Sequence, residues 1–398
     1  MASDVANERS SHDTTNVVLS RLDTRMPFDD DVALHNSGPC FRLLRPFAPH
    51  PMNATLPAVA PTLRFPSPEP PACGESLEIV PGIRWLRMPL PFALDHINLW
   101  LLEDGDAWTQ VDCGLGDAAT RDAWETHFAT TFGSARLERV IATHCHPDHV
   151  GNAAWLTVRF DCPLVMPQAE YLTAHALANE HSGYGVEETC ALFRRHGLEP
   201  EHLAALRARG NQYRRGVPEL AFHYQRLIAG DELTIGARRW RVIPGFGHSP
   251  EHAALYCSAL GVLISGDMLL PKISTNVSVW PPEPESDPLA RFLDSLDHFL
   301  RLPPDTLVLP SHGLPFIGIP IRIEQLRAHH AARLAELEAA AGTPVTAASV
   351  LPVLFRRALD PQQRFFAMGE AIAHLNHLWH AGRLKRRETD GLFRFVRA

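Results

Sequence analysis

Thr143-His144-Cys145-His146-Pro147-Asp148-His149-Val150-Gly151-Asn152 is the stretch on which the reading of this chain turns. It follows the short apolar run Val140–Thr143, which reads as a buried strand. Side chains alternate in an extended segment, so His144 and His146 point to one side and Cys145 to the other. Pro147 enforces a turn, and Asp148 and His149 face back from the start of the next helix. Imidazole and carboxylate groups from one loop can thus approach two neighbouring divalent ions.

Further donors follow in order. His248 sits in Gly245-Phe246-Gly247-His248-Ser249-Pro250, after the strand Arg239–Pro244. Asp267 follows the apolar strand Gly261–Ser265, and His312 follows the strand Thr306–Pro310. Each lies where a rigid scaffold can present a side chain to a shared cleft. Upstream, Asp112 stands in Val111-Asp112-Cys113-Gly114 and reads either as support for the ligand loop or as a turn aspartate.

Around these motifs the chain alternates strands and helices. Leu77–Val80, Ile83–Pro89, Asn98–Glu103 and Ala107–Asp112 read as strands, and Ala118–Phe132 as a helix. Residues 168–218 lack strand signals and read as an inserted helical cap, with helices over 169–179, 185–196 and 199–213. Strands return at 233–235, 239–244, 253–257 and 261–265. Asp287-Pro288 opens an amphipathic helix, and Ile321–Ala341 forms a long charged one. Thr346 is read as the cap of a further helix, and another spans 361–381. The strands Arg383–Arg387 and Leu392–Val396 around Thr389-Asp390-Gly391 complete a winged-helix outline.

The set His144-x-His146-x-Asp148-His149, His248, Asp267 and His312, with Asp112 before it, resembles the metallo-β-lactamase superfamily over roughly residues 77–330. The resemblance implies an α/β fold: an αββα sandwich with the helical cap and a small C-terminal winged-helix domain. It implies that His144, His146 and His248 hold a first metal, that Asp148, His149 and His312 hold a second, and that Asp267 bridges them. Zinc, two ions per chain, suits these donors; manganese or iron fits them as well. Asp148 is the expected catalytic residue, orienting a metal-bridging hydroxide and shuttling its proton. Asp112 and His252 are expected to support the ligands. Gly151-Asn152 and Pro250-Glu251 depart from the pattern of glutathione-thioester relatives. The cap and tail resemble a branch that holds a single-strand endoribonuclease, bacterial hydrolases and fungal thioesterases.

Composition bounds the rest. The 398 residues are 45% hydrophobic and 21% charged, which excludes a collagen-like or wholly disordered chain. A net charge of −8 disfavours a surface that coats nucleic acid. No apolar run approaches the ~18 residues of a membrane span. The seven cysteines are scattered and lack a CxxC pair, which fits a reducing compartment and a cytoplasmic location. Residues 1–75 carry 11 of the 34 prolines and read as a poorly ordered leader. The domain reading is therefore leader 1–75, catalytic domain 76–330, and linker helix plus winged-helix-like domain 331–398.

Tyr171 and Tyr213 on the cap and Lys272 and Asn276 beyond Asp267 are candidate substrate contacts. His175, His181, His196, His202 and His223 read as solvated helix histidines. The expected function is hydrolysis of an ester or thioester on a small molecule or carrier (acyl-CoA, acyl-glutathione or carrier-bound acyl). The alternatives are a single-strand endoribonuclease using the basic tail, a mononuclear iron sulfur dioxygenase and a metal-sensing DNA-binding protein. From residue 343 onward nine Lys/Arg face four Asp/Glu, so RNA stays an alternative partner, and a homodimer stays open.

Overall fold

Alternation along the strands builds three apolar layers. The computed structural model describes residues 62–398 apart from Pro68, Ala93, Ser134, Glu180 and His181. The first sheet runs in chain order: β1 (Ser76–Val80), β2 (Ile83–Pro89), β3 (His96–Asp104), β4 (Ala107–Val111), β5 (Arg136–Ile141), β6 (Leu164–Pro167) and β7 (Gln225–Leu227). Its first four strands are antiparallel and β4 to β7 are parallel. The second sheet has the order β13-β12-β11-β10-β9-β8. These are β8 (Glu232–Ile235), β9 (Arg238–Gly245), β10 (His252–Cys257), β11 (Val262–Gly266), β12 (Leu307–Pro310) and β13 (Phe316–Ile317).

In β10, Ala253, Leu255 and Cys257 point between the sheets, where they meet Trp85 and Trp100. Ala254 and Tyr256 point outward. The period of two in side-chain direction gives central strands such as β10 and β11 two buried faces, so apolar residues run nearly unbroken along them. Outside the first sheet lie α1 (Ala118–His127, continued as a wider turn to Phe132), α2 (Pro147–Val150) and α3 (Ala153–Phe160). The cap consists of α4 (Gln168–Ala178), α5 (Val186–Arg195), α6 (Pro200–Arg209) and α7 (Tyr213–Gly216).

Outside the second sheet lie α8 (Pro288–Leu300) and α9 (Ile319–Ala340). The C-terminal segment follows with α10 (Leu351–Leu354), α11 (Pro361–His380) and the hairpin β14 (Leu384–Thr389)–β15 (Leu392–Arg397). This is the αββα architecture expected from sequence. Residues of α5, α6, α8, α9, α11 and the hairpin share one apolar core, so the α5–α6 part of the cap and the C-terminal segment pack on the same side of the sandwich.

Several details differ from the sequence reading. His196 is not solvated: it is fully buried against Phe393 and Phe395. His181 and residues 1–61 of the leader lie outside the described residues. The remainder of the leader is anchored, since Arg64 and Ile317 exchange backbone hydrogen bonds of 3.1 and 2.9 Å. After Thr346 the chain makes a 3-10 turn and the one-turn α10 instead of a longer helix. Pro352, which lacks an amide donor, sits in that turn.

Candidate metal centre

The strand directions bring the motifs to one edge. β9, β11 and β12 point the same way, so the loops carrying His248, Asp267 and His312 leave the second sheet together. β4 and β5 are parallel neighbours and deliver Asp112 and the His144–His149 loop from the first sheet. The edges are joined by a hydrogen bond from Ala253 N to Thr143 O of 2.9 Å.

Seven side chains converge there in two groups: His144, His146, His248 and Asp267, then Asp148, His149 and His312. In the first, His144 Nε2 lies 2.9 Å from His146 Nδ1 and 3.2 Å from His248 Nε2. His248 Nε2 is 3.3 Å from Asp267 Oδ2. In the second, His312 Nε2 is 3.4 Å from Asp148 Oδ2, and His149 Nε2 is 3.7 Å from that oxygen. The other Asp267 oxygen, Oδ1, lies 3.6 Å from His149 Nε2 and 3.5 Å from His312 Nε2. Asp267 thus turns one oxygen to each group. Donor atoms around a tetrahedral ion bound at about 2.0–2.1 Å stand roughly 3.3 Å apart, which these spacings match.

The buried atoms His149 Nε2 and Asp267 Oδ1 have no hydrogen-bond partner, as metal-facing donors require. Burial lowers His149, but the charges of Asp112, Asp148 and Asp267 outweigh it and raise the imidazole to about 9. Burial raises Asp148, yet His149 and His312 hold it down to about 2. Burial and the charge of His248 bring His146 to about 3, so its lone pair stays free. Carboxylates and imidazoles form a donor set for divalent cations, and His149, protonated while no ion is bound, would release its proton on binding one.

Four of the five candidate ligand histidines are fixed through their other ring nitrogen. His149 Nδ1 donates to Asp112 Oδ2 at 2.9 Å, His248 Nδ1 to Asn276 O at 2.8 Å and His312 Nδ1 to His96 O at 2.9 Å. His144 Nδ1 lies 3.0 Å from the Thr143 hydroxyl, which in turn reaches Asp112. Such partners set the tautomer and the ring orientation. Asp112 has φ of 60°, a left-handed conformation that a short polar residue tolerates. The Gln110 amide holds it by donating to the Asp112 carbonyl at 2.8 Å. The buried His252 accepts from Asp267 N at 3.2 Å, and a Cβ at Gly266 would collide with its ring.

The substrate candidates divide. Tyr213 donates to Cys145 O at 2.7 Å, holding the ligand loop, and Asn276 supports His248. Tyr171 stacks on Tyr224 and donates to Phe222 O. Lys272 lines a cavity beside His312.

Three supporting residues escaped the sequence reading. Glu170, fully buried in the first turn of α4, accepts from Cys145 N, Ser249 Oγ and Glu251 N, joining two ligand loops across the sheets. An acid in a helix's first turn is ordinary, which hid it. Asn98 interrupts an apolar strand, a signal that could have exposed it; its amide donates to Pro310 O and Gly313 O on either side of His312. Glu370, from α11, accepts from Asn276 Nδ2.

The comparisons with known proteins agree with this geometry. The sequence profile described as "Metallo-beta-lactamase superfamily" matches residues 93–312. The chain belongs to the metallo-β-lactamase superfamily. A second profile, "Metallo-beta-lactamase-like, C-terminal domain", matches residues 334–398. Among solved structures, a beta-lactamase domain protein from Burkholderia ambifaria is 49% identical with a TM-score of 0.78, covering 84% of this chain and 98% of that one. A metallo-beta-lactamase family protein from Thermus thermophilus is 31% identical with a TM-score of 0.68, covering 81% and 100%. Among curated sequences, "Probable metallo-hydrolase YqjP" of Bacillus subtilis (strain 168) is 27% identical over 302 residues, 74% of this chain and 91% of its own length. "Hydroxyacylglutathione hydrolase" of Idiomarina loihiensis is 23% identical over 220 residues, 55% of this chain and 62% of its own length. With its superfamily membership and candidate metal site, the chain is a metal-dependent hydrolase of this superfamily.

Proposed function

We propose that this hydrolase binds two zinc ions and cleaves an ester or thioester, with its acyl group carried by coenzyme A, glutathione or a carrier protein. The observation that carries the reading is Asp267, whose two oxygens each face a separate donor group. Bound divalent ions supply Lewis acidity, lowering the pKa of a water and stabilising negative charge on the substrate carbonyl oxygen. Asp148 is the ligand carboxylate most open to solvent, its side chain 20% exposed against 11% for Asp267. That exposure supports reading Asp148 as the residue that orients the attacking water and takes its proton. The likeness to a hydroxyacylglutathione hydrolase supports an acyl-thiol substrate.

The hairpin weighs against the ribonuclease reading. Arg386 pairs with Glu285 and lies over the Trp379 ring, and Arg383 pairs with Glu338. These pairs engage two of the four basic residues of the hairpin cluster; Lys385 and Arg387 stay exposed without an ion pair among the described residues, so the hairpin only partly weighs against RNA. Six free cysteines among the described residues support a reducing, cytoplasmic setting, and no helix there is long and apolar enough to cross a membrane.

The test is thiol release from acyl-CoA and acyl-glutathione panels by zinc-reconstituted protein, beside Asp148→Ala, with bound metal counted. Two zinc ions per chain and release lost in the variant support the reading. Silence on thioesters with cleavage of single-stranded RNA would replace it. Iron content with oxygen uptake would favour the dioxygenase alternative.

A further inference from the structure

A cavity of about 270 Å³ opens beside the metal centre, and His312 belongs to both. Its ring lines the cavity, while its Nε2 faces Asp148 and Asp267 at 3.4 and 3.5 Å. The walls are mainly apolar: Phe65, Leu94, Pro271, Ile273 and Leu314. Of these, Phe65 and Ile273 remain 37% and 47% exposed. Exposed apolar surface gathered at one opening marks a binding site more often than chance packing does.

The walls are held in place. Arg322 is buried on α9 and donates to the carbonyls of Leu270 and Ile273, the latter at 2.7 Å. The backbone pairing of Arg64 with Ile317 fixes the segment that carries Phe65. Lys272 is exposed at the same opening and makes no ion pair among the described residues, whereas the cavity's other cation, Arg87, lies 3.6 Å from Asp95. An apolar chamber with one free cation at its lip fits an amphiphile with a hydrocarbon body and an anionic group.

We propose that this cavity receives the hydrocarbon part of a straight-chain acyl group, placing the attached carbonyl beside the candidate metal centre beyond His312. The inference rests on the ester or thioester reading for the bond cleaved, and on the cavity alone for what is bound.

The test is calorimetric binding of straight-chain carboxylates from butanoate to decanoate to the metal-loaded protein. Each methylene that enters should tighten binding about fourfold until the cavity is full. Ile273→Asp and Leu94→Asp should flatten that dependence, and Ile273→Met should restore it. Melting curves show that each variant is folded. Affinity that is flat along the series in the wild-type protein overturns the proposal, as does an unchanged dependence in both Asp variants. If Ile273→Asp turns a dimer into a monomer while affinity is flat throughout, a second copy covers the opening and the proposal falls. Acyl-CoA hydrolysis is measured alongside. Thioester turnover with flat binding retains the thioesterase reading and removes the cavity; chain-dependent binding without turnover does the reverse.

Discussion

Asn276 donates its side-chain amide to Glu370 at 3.0 Å while its backbone carbonyl accepts from the ligand His248 at 2.8 Å. A helix near the C-terminus therefore reaches the metal centre through one intermediary. Ser278 tightens the link by donating to Asn276 Oδ1 at 2.7 Å.

The burial of Glu370 makes stability depend on pH. Burial raises the Glu370 carboxyl to about 7, against the opposing hydrogen bond from Asn276. Between its ordinary value near 4.3 and about 7, the folded state keeps a proton that the unfolded state has lost, so this contribution is full at low pH and declines as pH rises through that window. Glu370→Gln keeps an acceptor for Asn276 and cannot ionise. Urea midpoints measured from pH 4.5 to 8 should show a flatter profile for the variant and a gain over wild type at pH 8. Parallel profiles would refute the assignment.

Asp112 touches His149 and stands outside both candidate donor groups. Asp112→Asn removes the charged acceptor at His149 Nδ1, and metal affinity should fall by about 10–100-fold. Competition with a fluorescent chelator reads this directly; an unchanged affinity would make Asp112 a turn residue only.

Asp267 and Asp148 should separate metal loading from chemistry. Asp267→Ala removes the carboxylate facing both donor groups, so bound metal should drop by at least one ion per chain together with turnover. Asp148→Ala should reduce turnover by at least ~100-fold. Near-normal turnover in either variant would sink the two-ion mechanism.

Glu170 is a structural joint. Glu170→Ala leaves Cys145 N, Ser249 Oγ and Glu251 N without their buried acceptor, and should destabilise the fold by about 3 kcal/mol or more. Glu170→Gln, which keeps a carbonyl oxygen, should lose less. Chemical denaturation of the two variants decides between a joint and a bystander.

The convergence of the candidate donor residues was legible because their chemistry is dense and each follows a strand. Four donors within six residues, then His248, Asp267 and His312 at strand ends, leave little else for the sequence to mean. The residues that hold the ligands were not legible. Glu170 and Glu370 sit on helices, where an acid reads as surface, and only tertiary packing buries their carboxyls. The burial of His196 depends on the hairpin folding back against the cap, a contact between segments nearly 200 positions apart. The short strands β7 and β13 carry too few residues to show any period.

The hold of Glu370 on Asn276 also sets an order of events during synthesis. His248 leaves the ribosome more than a hundred residues before α11 does, and its orienting carbonyl lacks the Glu370 anchor until that helix has folded back. The nascent chain can assemble both sheets first, but the first donor group becomes fully arranged only late. An ion that needs the first donor group fully arranged would then bind late, and a product truncated before α11 should hold it more weakly.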